Sequence, residues 1–210
     1  VMRSDAALEV AHAAISGNLY SYVYVVPLTP SHRELPIVAL EMAGAIFNVA
    51  TFGPMLKGAP AALAIDALVV PYVLSGSTDS ALLQFMHEEL LALPAYQAIA
   101  PKLSCLHEYG DFNIVCDKGS RNEIQQMEDV MRHLGMTPQY VTVPPPALAI
   151  LDRAVDVWRS LSDEEQKLTK AYKQCTLGDG PSPAPTRSTC VATDDDALFP
   201  GCALCGAPAW

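Results

Sequence analysis

Residues 35–66 read LPIVALEMAGAIFNVATFGPMLKGAPAALAID. The part before the Gly-Pro pair carries one charged side chain, Glu41, and predicts a buried helix that this pair ends. An S-x-x-E capping box at Ser31 is expected to begin that helix. The segment Ala61–Ile65 is short, apolar and preceded by glycine and proline, which indicates a buried strand ending at Asp66.

The segments on either side extend this pattern. Upstream, the aromatic and β-branched residues 19–26 predict a strand, and the Gly17-Asn18 pair before it predicts a turn, so a hairpin is expected. This order of strands and helices predicts the α/β class. The elements expected downstream are a helix over about 78–93, a strand over 103–106, a helix over 113–134, a strand-like piece after Gln139 and a helix over 147–172.

Three parts are expected along the chain. Residues 1–135 would form the main domain, and residues 136–176 a helical extension whose apolar positions dock on it. Residues 177–210 are rich in Pro, Ser and Asp, which predicts a disordered tail.

Composition narrows the classes of function. Half of the 210 residues are hydrophobic, so a sizeable core can form. Acidic residues outnumber basic ones by 23 to 13, and the net charge of −10 argues against a nucleic-acid partner unless a metal site concentrates the carboxylates. Cys105 and Cys116 are typical of reduced core residues, and the first residues do not resemble a signal peptide. An intracellular location, cytoplasm or nucleus, is therefore expected.

Glu41 and Asp66 each stand alone in an apolar segment. Because burying an unpaired carboxylate is costly, such residues have a partner or a metal, or lie at the solvated edge of their element. A two-span membrane protein is a further alternative, since residues 35–56 and 58–77 are each about the length of a span. Against it, each run would place a carboxylate in the bilayer and contains internal Gly or Pro.

Four short motifs occur in order along roughly the first 120 residues. They are Ser4-Asp5-Ala6-Ala7, Leu40-Glu41, Ile65-Asp66, and His107-Glu108-Tyr109-Gly110 followed by Asn113 and Asp117-Lys118-Gly119-Ser120-Arg121. Together they resemble the ribonuclease H domain of reverse-transcriptase retrotransposons. The resemblance implies a ribonuclease H-like fold, with a mixed five-stranded sheet (an antiparallel hairpin plus parallel strands) flanked by helices.

The resemblance also implies a two-metal nuclease site at Asp5, Glu41, Asp66 and Asp117. Two Mg²⁺ (or Mn²⁺) ions held by these carboxylates would activate a water and stabilise the leaving oxygen during in-line attack on a phosphodiester. In that scheme Asp5 bridges both ions, and Asp117 holds the ion that carries the attacking water. Glu41 and Asp66 hold the ion beside the leaving group.

Four further residues receive supporting roles. Asn113, four residues before Asp117 on one helix face, would orient it. His107 would assist proton movement or product release, or serve a structural role at its strand end. Lys118 and Arg121 would contact the RNA·DNA hybrid whose RNA strand is cut. An upstream reverse transcriptase domain of the same polyprotein would supply the rest of the affinity.

Two positions depart from the family's pattern. Ala67 follows the third acid where Asn or Ser is usual, and Cys116 precedes the fourth where Ala is usual. A catalytically inactive ribonuclease H-like scaffold that binds nucleic acid or protein partners therefore stays open as an alternative.

Overall fold

A computed structural model of the chain describes residues 1–9, 11–56, 58–76, 78–108 and 113–172. The tail predicted to be disordered, residues 177–210, lies outside these ranges. So do Tyr109 and Gly110 of the last motif.

The strands of the described residues form one mixed sheet, with both parallel and antiparallel pairs. Its six strands are β1 (Met2–Ala7), β2 (Ala14–Leu19), β3 (Tyr22–Pro27), β4 (Ala61–Ile65), β5 (Leu103–His107) and β6 (Gln139–Tyr140). Their order across the sheet is β5-β4-β1-β2-β3-β6. Strands β1, β2 and β3 run antiparallel, whereas β4 and β5 extend the sheet parallel to β1.

The predicted α/β class with an antiparallel hairpin and parallel strands is confirmed, but the count of five strands is wrong. The sixth strand, β6, pairs parallel with β3 through backbone bonds from Gln139 to Ser21 (2.8 Å) and from Val141 to Val23 (2.9 Å). This strand coincides with the strand-like piece predicted after Gln139, but both of its residues are exposed and its place in the sheet was not predicted.

Helices pack on both faces of the sheet. They are α1 (Ile37–Phe52), α2 (Val69–Leu74), α3 (Ala81–Ala92), α4 (Pro94–Ile99), α5 (Ile114–Ser120), α6 (Ile124–His133), α7 (Pro145–Ser160) and α8 (Asp163–Ala171). Two long helices of the prediction are each divided. The first breaks between α5 and α6, where Asn122 adopts a left-handed conformation (φ 61°). The second breaks at Ser162, which caps α8.

The capping box expected at Ser31 is wrong. Ser31 makes no side-chain cap and precedes a short 3-10 turn, and α1 begins after Pro36 instead. The reciprocal capping box occurs at Ser162 and Glu165, at the start of α8. A serine followed three residues later by a glutamate is thus not sufficient to fix a helix start.

Helix α1 is the centre of the core, and every residue from Val38 to Phe52 is buried. The stretch Ile37–Leu56 is long and apolar enough to span a membrane by length and composition, but 89% of its most apolar window is buried inside the protein. The other apolar run, residues 58–77, contains strand β4 and helix α2 and is not one continuous helix.

Close approach fixes α1 on one face of the sheet. The Tyr24 hydroxyl bonds to the Gly44 carbonyl (3.2 Å) and to Asn48 Oδ1 (3.1 Å). A Cβ atom on Gly44 would lie 2.9 Å from the Ser4 hydroxyl oxygen, so only glycine lets the helix approach β1 this closely.

Helix α5 covers the opposite face. Residues Asp5 and Ser16 are paired across β1 and β2 and point to this side. A side chain at Gly119 would overlap the Ser16 hydroxyl, and the Cys116 thiol donates to Asn18 Oδ1 at 3.2 Å. Helices α1 and α5 therefore enclose β1 from its two sides.

Candidate metal centre

Three acidic residues that are distant in sequence meet at the carboxyl ends of β1 and β4. Asp5 lies in β1, Glu41 in α1, and Asp66 directly after β4. One ligand oxygen from each lies within 4.8 Å of those of the other two. Asp5 and Glu41 are only 7% and 5% exposed, and Asp66 is half-buried. The structure therefore brings together three of the four acids that the sequence singled out.

Helix α5 fixes the carboxylate of Asp5. The buried Ser120 hydroxyl donates a hydrogen bond to Asp5 Oδ2, and it also lies 3.0 Å from the Asp117 carbonyl oxygen. Burial raises the pKa of Asp5, the Ser120 hydrogen bond opposes that rise, and the charge of Asp117 adds to it. Ser120 thus favours the ionised form that a cation requires.

Glu41 presents one satisfied and one unsatisfied oxygen. Its Oε1 accepts a hydrogen bond from the Ala6 backbone N–H at 3.1 Å. Its Oε2 is buried and has no hydrogen-bond partner among the described residues. Burial, and then the charges of Asp5 and Asp66, raises the pKa of Glu41 well above its usual range. A cation bound at Oε2 would satisfy this oxygen and reverse that rise.

Asp66 is positioned through its backbone. Its carbonyl oxygen accepts a 2.8 Å hydrogen bond from His107 Nε2, which must carry the hydrogen because a carbonyl only accepts. The neighbouring Glu108 N–H donates to Ile65 at 2.9 Å. Burial, followed by the charge of Asp5 and a hydrogen bond shared with it, raises the pKa of Asp66 to about 7. His107 therefore has a structural contact to the site.

This donor set fits a hard divalent cation. Fully ionised, the three carboxylates place three negative charges together, and among the described residues no Lys or Arg forms an ion pair with any of them. Carboxylate oxygens are ligands that Mg²⁺ or Mn²⁺ binds, and here one of them, Glu41 Oε2, is buried without a partner among the described residues. The residues present are thus able to hold such an ion.

The fourth predicted acid, Asp117, lies on α5 and is not among the three clustered carboxylates. Its charge raises the pKa of both Asp5 and Asp66, so Asp117 interacts electrostatically with the cluster. Its Oδ1 lies 2.8 Å from both Nε and Nη2 of Arg121. Asp117 is therefore already paired with a cation belonging to the chain itself.

Comparison with known proteins adds no family. No family model, curated protein or solved structure matches the chain. What the structure adds is a cluster of three carboxylates that could hold a metal ion.

The predicted supporting residues have other contacts. Asn113 donates from Nδ2 to the Ser4 carbonyl at 2.8 Å, so its amide fixes α5 against β1. Lys118 lies 2.6 Å from Glu123, and Arg121 pairs with Asp117. Substrate contacts by Lys118 or Arg121 would require these ion pairs to open.

Sequence reasoning missed two members of this region. Ser120 belongs to the last of the four motifs, but nothing in its spacing indicates that its hydroxyl reaches Asp5 in another element. Glu9, two residues beyond β1, contacts Arg121 Nη1 at 3.3 Å. Its position could have indicated this, because Glu9 is an acidic residue close to the end of the strand that carries Asp5.

Proposed function

We propose that this chain is a metal-dependent nuclease that cuts the RNA strand of RNA·DNA hybrids, as part of a retrotransposon reverse transcriptase polyprotein. One observation carries the proposal, namely the convergence of Asp5, Glu41 and Asp66 from three elements. The motif order and the mixed sheet with a front hairpin support it. The substrate and the polyprotein rest on the resemblance.

The chain's own residues prepare the cluster for a cation. Divalent ions bound there supply a polarised water and charge stabilisation at the scissile phosphate. Ser120 holds Asp5 in the orientation that faces Asp66, and the Ala6 N–H holds Glu41. His107 fixes the loop that carries Asp66. Such preorganised contacts leave little rearrangement for the reaction itself.

A substrate of this kind needs basic residues near the cluster. Arg3, Lys118 and Arg121 each form an ion pair with an acid of the chain. Lys170 of α8 makes no ion pair within the described residues, and its Nζ lies 5.3 Å from the centroid of the Trp158 ring.

Lys170 lines a cavity of about 150 Å³ together with Leu8 and the start of α1. Leu8 lies three residues after Asp5, and Ile37 lies one helical turn before Glu41, so the segments that carry these two acids also line the cavity. We propose that Lys170 contacts a phosphate of the hybrid there.

Replacing Lys170 with Gln is expected to weaken hybrid binding by about three- to tenfold and to lower the slope of log K against log salt by about 0.9. The reason is the loss of one phosphate contact. Fluorescence anisotropy with a labelled hybrid in Ca²⁺, at several salt concentrations, measures both quantities.

Lys167→Gln is the matched control, because it removes the same charge from an exposed position of the same helix. It should leave the slope unchanged. Equal losses from the two variants would contradict a specific contact at Lys170.

The function is tested with a hybrid labelled separately on each strand. With Mg²⁺ the RNA strand should be cut and the DNA strand should remain intact, and EDTA should stop the reaction. Asp66→Asn serves as the inactive comparison. If the wild-type chain and Asp66→Asn are equally inert in Mg²⁺ and Mn²⁺, the nuclease proposal fails.

One observation favours a second candidate, a catalytically silent ribonuclease H-like scaffold. The pairing of Asp117 with Arg121 puts a protein cation where a second metal ion would need a ligand. Binding of the hybrid without cleavage, in the same assay, would support the scaffold over the enzyme.

A further inference from the structure

Arg121 is placed between two acids at the rim of the cluster. Its Nε and Nη2 lie 2.8 Å from the same oxygen of Asp117, and its Nη1 lies 3.3 Å from Glu9 Oε1. All three guanidinium nitrogens are therefore engaged. The pairs are open to solvent, with Arg121 46% and Glu9 48% exposed, which makes them exchangeable.

The charge of Arg121 also reaches the cluster, where it favours the ionised form of Asp5. A divalent cation between Asp5 and Asp117 would compete for the carboxylate whose Oδ1 the guanidinium contacts through two nitrogens. Two positive groups beside one carboxylate repel each other. Binding of a second ion and the Arg121–Asp117 contact therefore oppose each other.

We propose that Arg121 is an exchangeable cation that holds the second metal position until a divalent ion displaces it. One ion binds at Asp5, Glu41 and Asp66 irrespective of Arg121. A second ion binds beside Asp117 only when Arg121 leaves that carboxylate, and Glu9 then retains the guanidinium nearby. This inference rests on the metal centre of the proposed function, because the first ion must bind there.

The exchange makes a direct prediction for metal binding without any assay of activity. Titration of the full chain with Mn²⁺ at pH 7, with free Mn²⁺ followed by electron paramagnetic resonance, should show one tighter and one weaker ion. In Arg121→Gln the weaker ion should bind about three- to tenfold more tightly, since an opposing charge-assisted contact is gone. The tighter ion should change by less than about twofold.

Arg132→Gln is the matched control. Arg132 also pairs with two acids, Glu128 and Asp129, and is similarly exposed at 52%, but it lies on α6. Its removal should leave both Mn²⁺ affinities unchanged. An equal effect of the two variants would mean that net charge alone acts, and this result overturns the exchange.

Two other outcomes of the Mn²⁺ titration separate a failure of the exchange from a failure of the metal centre. If wild type and Arg121→Gln each bind one Mn²⁺ with the same affinity and no second ion, the exchange is wrong while the cluster stands. If neither binds Mn²⁺, both the exchange and the metal centre of the proposed function are wrong.

Discussion

Asp66→Asn is expected to lower the rate of RNA cleavage in the hybrid by about 10³-fold or more, because a metal ion stabilises the transition state by several kcal/mol. An amide cannot carry the charge that offsets the cation, although it preserves the size of the side chain. Single-turnover cleavage at saturating Mg²⁺ measures this effect without the contribution of substrate binding.

Asp129→Asn controls for charge in this experiment, since Asp129 is 58% exposed on α6 and pairs with Arg132. It should cleave at the wild-type rate. Retention of more than about a tenth of the wild-type rate by Asp66→Asn would show that this carboxylate does not take part in the chemistry.

The stability of the metal-free chain is expected to fall as pH rises from 5 to 8. Asp66 titrates at about 7 when folded and near its ordinary 3.8 when unfolded. Between these values the folded state holds more protons, so the contribution is fully present below the unfolded pKa and is lost as pH rises through the folded one. The pKa of Asp5 and that of Glu41 are also raised, which gives the same sign.

Between pH 5 and the folded pKa of about 7 the linkage energy is about 2.7 kcal/mol. Halving it, because Asp66 is partly exposed, leaves about 1.4 kcal/mol, or roughly 3–6 °C in Tm. Mg²⁺ at about 100 times its dissociation constant should add about 2.7 kcal/mol at pH 8 and less at pH 5, where protons compete. Thermal melts in EDTA and in Mg²⁺ at the two pH values measure both effects.

Asp66→Asn should lose most of the pH dependence in EDTA and most of the stabilisation by Mg²⁺. A metal-free chain that is more stable at pH 8 than at pH 5 would have the opposite sign, and would contradict the raised pKa values of the cluster.

The parts of the fold that depend on long apolar runs could be predicted from the sequence. Helix α1 ends at Phe52, before the Gly-Pro pair, and β4 ends at Ile65 immediately before Asp66, as the local pattern indicates. Because these elements are buried, the length of each apolar run and the Gly and Pro residues beside it indicate the type of element and where it ends. The start of α1 was not found in this way.

Elements that depend on tertiary pairing could not be predicted in the same way. A strand-like piece was expected after Gln139, but its pairing with β3, which makes it the sixth strand of the sheet, was not. The break between α5 and α6 falls at Asn122, where the left-handed backbone is tolerated but is not required by the residue type. Local propensity does not distinguish these cases from a continuing loop or helix.

The candidate site also has a part that the sequence indicates and a part that it does not. Glu41 and Asp66 are unusual by sequence alone, because each is an isolated acid in an apolar segment. The Ser120–Asp5 contact was not predicted, because it depends on how α5 docks against β1. The Arg121–Asp117 pair was also missed, although its spacing of four residues within a predicted helix could have indicated it.

Diffraction from crystals grown with Mn²⁺, recorded to give an anomalous signal for manganese, tests the central proposition most directly. An anomalous peak is expected within about 2.5 Å of carboxylate oxygens from Asp5, Glu41 and Asp66 together. Absence of a peak there at millimolar Mn²⁺, or carboxylates that point to different faces of the sheet, would contradict the assignment of this cluster as a metal centre.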